Sequence, residues 1–77
     1  MQSAPVLLWR LHSPFAPQAS ECYIVKHSPM SIELRLIEMP PSSTVESTSW
    51  YESHETALRN AMLLAMALRG EGFTDDV

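Results

Sequence analysis

One stretch near the C-terminus, S-H-E-T-A-L-R-N-A-M-L-L-A-M-A-L-R-G, constrains the fold most, because it carries every local signal of a helix. Ser53 opens it as a good N-cap, since its hydroxyl can accept a hydrogen bond from a first-turn amide. Glu55 lies near the positive end of the helix dipole and precedes Arg59 by four residues, the favourable order for an ion pair. Gly70 follows Arg69, as a C′ glycine follows a basic last turn. The sequence therefore predicts one long helix from about Ser53 to Arg69.

The apolar residues of this helix exceed what a single core-facing stripe needs. That stripe is predicted to consist of Ala57, Ala61, Leu64 and Leu68, widened by Leu58, Met62 and Ala65. Leu63 and Met66 then project from the opposite side, near Arg59. Two interpretations stay open: a few exposed apolar side chains, which are common, or a second contact surface for a twin subunit or another protein. The apolar run is far shorter than the roughly 20 residues of a membrane span.

The length and cysteine content bound the class of protein. The chain has 77 residues, which corresponds to one domain, and a domain of this size buries only about 60% of its unfolded surface. Its stability is expected to be marginal, and formation of a homodimer is one remedy. Cys22 is the one cysteine, so no internal disulfide can form. No signal peptide is visible after Met1, and we expect a reducing, cytoplasmic setting.

The charge is unevenly distributed along the chain. The formal net charge is −4, with +1 in residues 1–35 and −5 in residues 36–77. The acids of the second part are Glu38, Glu46, Glu52, Glu55, Glu71, Asp75 and Asp76. Nucleic-acid-binding domains normally carry a basic stripe, whereas the five basic residues here are scattered. Direct nucleic-acid binding is therefore disfavoured. Two interpretations of the acidic bias stay open: the acids near the helix start stabilise the helix through its dipole, or they attract a protein partner with a basic surface, such as a nucleic-acid-binding groove.

The rest of the chain reads as β-strands. Strands are predicted at residues 6–11, 21–27, 31–39 and 45–51, from period-two alternation and β-forming residues. Pro29 sits in the turn of a hairpin between the second and third of them. The predicted fold class is α+β: a small antiparallel meander of three to four strands with one C-terminal helix on one face, β-β-β-β-α. Residues 1–4 and 74–77 are predicted to be flexible.

The side chains capable of catalysis or metal binding are not brought together by this arrangement. Cys22 and His27 lie five residues apart on one strand, so they point to opposite faces. His12, His27 and His54 lie on different elements and lack the spacing of metal ligands. We therefore predict a protein that is not an enzyme, with no catalytic residues, no metal and no cofactor.

The strand–helix junction also bears a resemblance. The pattern S-x-E-x-A-L-x-N-A, formed by Ser53, Glu55, Ala57, Leu58, Asn60 and Ala61, resembles that of several small β-β-β-α modules. The partner-binding part of HicB-type antitoxins is one of them. The likeness covers less than a quarter of the chain and lacks that family's Gly-rich segment and its DNA-binding domain. It implies an assembly or partner-binding role.

These observations predict a protein-interaction module. The leading expectation is a small acidic inhibitor or regulator that docks on a larger protein or nucleoprotein complex, as phage and mobile-element inhibitors do, anti-CRISPR proteins among them by analogy of class. The predicted partner-binding residues are Leu63, Met66, Met62, Arg59, Glu46, Glu52 and Glu55. The alternatives are a β-sheet nucleic-acid-binding module that uses Arg10, Lys26 and Arg35, and a dimeric assembly subunit. No membrane association is expected.

Overall fold

The structure is a computed structural model that describes residues 4–15, 18–39 and 45–75. Its elements are β1 (Val6–His12), β2 (Ala19–Ser28), β3 (Ser31–Met39), β4 (Val45–Tyr51), α1 (His54–Gly70) and β5 (Thr74–Asp75). The strands form one antiparallel sheet in the order β4-β3-β2-β1-β5, and α1 packs across one of its faces. The predicted α+β meander with a C-terminal helix is confirmed, and a short fifth strand extends it.

The strand register assigns each side chain to one of two sheet faces. Cys22 lies opposite Leu36, and Ile24 lies opposite Leu34, so these four side chains share a face. They pack against α1, and we call this the helix side of the sheet. The intervening residues of β2 and β3, such as Glu33, lie on the other side, which we call the open face. One irregularity in β1, between Leu7 and Trp9, places an extra residue on the edge of the sheet.

A compact apolar core fills the space between the helix side of the sheet and α1. Cys22, Ile24, Ile32 and Leu34 form its floor, and the helix meets them with alanines. Every buried residue of α1 is an alanine: Ala57, Ala61 and Ala65. Such small side chains let the helix backbone lie close to the sheet. Accordingly, the indole Nε1 of Trp9 donates a 2.9 Å hydrogen bond to the backbone carbonyl of Ala61.

The structure corrects the predicted inner face of the helix. The buried stripe runs through Ala57, Ala61 and Ala65 rather than through Leu64 and Leu68. Leu64 is 39% exposed and Leu68 is only half-buried. Met62, predicted to widen the core stripe, is also exposed. Compared with the predicted orientation, α1 is rotated about its axis by about one residue. This rotation places alanines against the sheet, where a leucine would hold the helix further away.

The two helix ends differ in how well the sequence predicted them. At the start, Ser53 is the N-cap as expected, and its hydroxyl accepts a 3.1 Å hydrogen bond from the Thr56 amide. At the end, the prediction of Gly70 as C′ residue was wrong: Gly70 is still helical, and Gly72 adopts the positive φ of 101°. The Phe73 amide donates to the Leu68 carbonyl, and the Gly72 amide to that of Arg69, which closes the helix as a Schellman motif.

The sequence did not predict β5. Thr74 and Asp75 pair with His12 and Leu11 at the end of β1. Asp75 also accepts a 2.7 Å hydrogen bond from Arg69, so side chain and backbone both tie this segment to the domain. Of the two segments predicted to be flexible, residues 1–3 and 76–77 lie outside the described part of the chain.

Candidate protein-binding surface on the helix

The side of α1 that faces away from the sheet carries a cluster of large apolar side chains. Met62, Leu63 and Met66 are 66%, 54% and 61% exposed. They lie one turn apart or side by side, so they form a continuous patch in the C-terminal half of the helix. We call this patch, with the flanking Arg59, the outer surface of α1. It contains four of the predicted partner-binding residues, and the structure brings them together.

The apolar side chains of α1 are distributed by size differently from those of an ordinary amphipathic helix. The fully buried residues of the helix are alanines, joined on the core side by partly buried Leu58, whereas the larger apolar side chains of Met62, Leu63 and Met66 face outward. Scattered apolar residues on a surface need no explanation, but a contiguous patch of large ones is typical of an interaction site. Methionine side chains are flexible and adapt to the shape of a partner. The helix therefore exposes three large apolar side chains, whereas its fully buried residues are alanines.

Charged residues at both ends of the outer surface compensate each other. In the first turns, Arg59 lies 3.6 Å from Glu55, the pair predicted from their spacing. At the other end, Arg69 lies 2.7 Å from Asp75. All four side chains are largely solvent-exposed, so these pairs contribute little to stability. Their effect is on charge: among the described residues, the rim of the outer surface holds two cations and two anions, which balance.

The predicted acidic docking residues are not gathered around the apolar patch. Glu55 belongs to the neutral rim through its pair with Arg59. Glu52 is exposed just before the helix. Glu46 lies on β4 opposite Ile37, and its side chain is outside the described part of the structure. The net negative charge of the chain is thus not concentrated on the outer surface of α1.

The open face of the sheet carries a polar cluster that the sequence did not predict. The carboxylate of Glu33, only 5% exposed, accepts hydrogen bonds from Arg35 Nε at 3.0 Å and Nη2 at 3.1 Å. His27 Nε2 lies 2.8 Å from the same carboxylate, and Thr48 donates to it at 3.3 Å. The hydrogen bonds of Arg35 above all, together with those of His27 and Thr48, hold the pKa of Glu33 below its usual range against the opposing effect of burial. The Glu33 carboxylate is saturated by its own domain, which is typical of a structural role.

Aromatic residues of the open face contact polar side chains beside them. The His27 and Trp50 rings lie 4.9 Å apart between centroids. The Tyr23 hydroxyl donates a 3.1 Å hydrogen bond to Glu21, which also lies 3.6 Å from Arg10. Trp9, by contrast, packs on the helix side of the sheet. The aromatic side chains therefore do not form one stacking platform for bases.

The predicted separation of Cys22 and His27 is confirmed. Cys22 is fully buried in the core on the helix side, whereas His27 bonds Glu33 on the open face. Burial raises the pKa of the Cys22 thiol to about 11, so it is protonated at neutral pH and a poor nucleophile. Among the described residues, no group of three histidine, cysteine or acidic side chains is placed to hold a metal ion.

A shallow cavity of about 320 Å³ lies near the C-terminal end of α1. Leu68 and Phe73 form its apolar wall, and Ser20, Glu38 and Glu71 supply polar groups. It lies at the inner edge of the helix, where α1 leaves the sheet, and not on the outer surface. Its two carboxylates are exposed, so they can be solvated without a ligand.

Comparisons with known proteins add no family to this description. No family model, no curated protein and no solved structure matches the chain. In the described ranges, no helix is long and apolar enough to cross a membrane.

Proposed function

We propose that this chain is a non-enzymatic protein-interaction module that binds another protein chain through the outer surface of α1. One observation carries the proposal: the helix turns alanines toward its own core and Met62, Leu63 and Met66 toward solvent. Burying these side chains against a partner would release their hydration water, at about 25 cal/mol for each Å² of apolar surface removed. A central cluster of this kind, with a charged rim, is the usual composition of a binding site.

A narrower form of the proposal is an acidic inhibitor or regulator that docks on a larger protein with a basic surface. It is supported by the formal net charge of −4 and by exposed Glu52 beside the helix start. Under this form, long-range attraction accelerates association and the apolar patch slows dissociation. Glu52→Gln would then lower the association rate and its dependence on salt, whereas Leu63→Ala would mainly raise the dissociation rate.

The nucleic-acid alternative has weaker support. Arg10 and Arg35, two of its three named cations, face Glu21 and Glu33 at ion-pair distance on the open face. Phosphate binding would have to compete with these carboxylates, and the strong salt dependence typical of backbone contacts requires cations that are available.

The experiment that tests the module compares two charge-introducing variants. Leu63→Lys/Met66→Lys changes the outer surface. Phe15→Lys/Met30→Lys changes two apolar residues elsewhere that are at least as accessible, at 77% and 71% exposure. Circular dichroism and thermal melting first establish that both remain folded. Protein partners that co-purify with the tagged wild type are then identified, purified and titrated against all three proteins.

We expect the helix variant to bind at least about tenfold more weakly than the wild type and the control to bind equally. Self-association, measured by sedimentation, counts as binding on the same terms. If the helix variant keeps every association of the wild type at unchanged affinity, the outer surface of α1 is not a binding site.

A further inference from the structure

We infer that the occupant of the outer surface of α1 is a second copy of this chain, in a two-fold dimer whose helices run antiparallel. The inference rests on the proposed function, because it names the partner of the same surface. Three observations on this surface select that occupant: the spacing of its residues, the charges at its two ends and its neutrality.

The residues along the outer surface follow the spacing of a helix–helix seam. Glu55, Arg59, Met62, Met66 and Arg69 are separated by four, three, four and three residues. This alternation keeps side chains in line along one side of a helix, which is the spacing of a lengthwise helix contact, here with Met62 and Met66 at its apolar centre and charged residues toward its ends. Leu63 lies beside the seam and widens it. The helix has 17 residues and is therefore about 25 Å long, enough for this contact to run over its whole length.

The charges at the two ends make the seam complementary to itself only when the helices are antiparallel. Glu55 and Arg69 each lie seven residues from Met62, on opposite sides of it. A two-fold axis at Met62 therefore places Glu55 of each copy beside Arg69 of the other, and Arg59 near Met66. At both ends Glu55 of one copy then joins the pair that Arg69 of the other copy makes with its own Asp75, and the two helix dipoles oppose each other favourably. In a parallel pair, each of these charges would face its own counterpart.

Neutrality of the surface favours a second copy over a basic partner. The rim contributes Glu55, Arg59, Arg69 and Asp75, and these charges cancel. Among the described residues, a strongly basic protein would find no excess of negative charge around the apolar patch. A second copy needs no such excess. A symmetric contact of a patch with itself is also the commonest way in which small domains bury additional apolar surface.

Sedimentation equilibrium over a wide concentration range tests the dimer. The wild type and the control Phe15→Lys/Met30→Lys are expected to show a concentration-dependent monomer–dimer equilibrium with the same constant. Leu63→Lys/Met66→Lys is expected to raise the dissociation constant of the dimer by at least about tenfold. A wild type that is monomeric at every concentration overturns the inference.

A mixing experiment tests the antiparallel arrangement. Glu55→Lys alone puts a second cation beside Arg69 of the other copy, and Arg69→Glu alone puts a second carboxylate beside Glu55 of the other copy. Each variant by itself is therefore expected to dimerise several-fold more weakly. An equimolar mixture of the two forms a heterodimer in which one end pairs the two introduced charges, which are opposite, and the other end pairs the native Glu55 and Arg69. Because each substitution also removes an ion pair within its own chain, the mixture is expected to dimerise several-fold more tightly than either variant alone rather than to reach the wild-type constant.

Circular dichroism establishes that both single variants are folded. Folded variants whose mixture stays as weak as its components overturn the antiparallel arrangement.

The two proposals fail in different ways. If the wild type is monomeric while Leu63→Lys/Met66→Lys loses a purified, unrelated protein partner, the second copy is wrong and the interaction module stands. If the helix variant dimerises and binds like the wild type, both are wrong.

Discussion

The two faces of the sheet bury their side chains by different physical means. On the helix side, α1 covers the strands, and Ile24, Ile32 and Leu34 are buried by close contact with alanines. On the open face, no helix covers the described strands, yet Glu33 is as inaccessible as the core residues. It is buried by its own hydrogen-bond donors, chiefly Arg35 and His27.

Because of this difference, the stability contributed by each face responds to a different kind of change. Contacts on the helix side are apolar and depend on side-chain volume, so they respond to changes of shape. The cluster on the open face depends on one ionised carboxylate, so it responds to changes of charge and of pH. Four changes, in order of decreasing expected effect, probe this contrast.

Removal of the Glu33 carboxylate is expected to have the largest effect. Glu33→Ala leaves Arg35, His27 and Thr48 without their common acceptor, and we expect a loss of about 2–3 kcal/mol in the free energy of unfolding. The value is below that for a fully buried pair, because the Arg35 side chain is 30% exposed and can be solvated. Urea denaturation measures it. Glu38→Ala, at an exposed position of the same strand, is the matched control and is expected to change little.

Enlargement of the alanine stripe comes next. Ala61 is buried against the sheet, and Ala61→Leu forces the helix away, at an expected cost of about 2 kcal/mol. The same substitution at exposed Ala67 adds the same atoms without a clash. Thermal and urea unfolding of the two variants should therefore separate clearly. Equal stabilities would mean that α1 does not approach the sheet as closely as described.

Loss of the indole hydrogen bond is a smaller change on the same side. Trp9→Phe keeps an aromatic ring but removes the donor to the Ala61 carbonyl, and we expect a loss of about 1 kcal/mol. Tyr51→Phe, which keeps the ring of another partly buried aromatic residue of the core, is the control. A loss confined to Trp9→Phe in urea denaturation would show that the contact of the indole with α1, through its hydrogen bond and its ring volume together, stabilises the fold.

The smallest effect is a difference in pH dependence. Because the pKa of Glu33 is lowered in the folded state, the folded protein binds fewer protons than the unfolded chain. The stability contributed by this carboxylate is therefore present above the unfolded-state pKa, about 4.3, and is lost as the pH falls through the folded-state value. Glu33→Gln should flatten the decline of stability in acid, measured by urea denaturation between neutral and acidic pH. Ala61→Leu should shift the whole curve without changing its slope.

The parts of the fold that were predicted correctly depend on local patterns. Alternation along β3 and the cap at Ser53 are properties of neighbouring residues, and the structure has both where the sequence indicated them. Exposure of Leu63 and Met66 also followed from helical spacing. Periodicity could not decide between Leu64 and Ala65 for the inner face, because that choice depends on how closely the helix approaches the sheet.

The parts that were missed depend on residues distant in sequence. Glu33 alternates with its apolar neighbours in β3 and lies on the face opposite to theirs, as period two requires. Its burial, however, arises from three partners, one of them Thr48 on the next strand. Likewise, β5 has two residues and pairs only with the far end of β1, so no local signal marks it. The nearest signal was the glycine pair around Glu71, of which Gly72 rather than Gly70 takes the positive φ.

The position of β5 has a consequence for the order in which the chain opens and closes. Strands β2 to β4 each pair with their predecessor in the chain, so little loop-closure entropy opposes them. In the part of the chain that the structure describes, the β1–β5 pairing joins segments distant in sequence through two residue pairs. Its amides should therefore exchange with solvent at a lower opening free energy than those of β2 and β3. Each such opening extends the unpaired edge of β1 and briefly offers it to a strand of another chain.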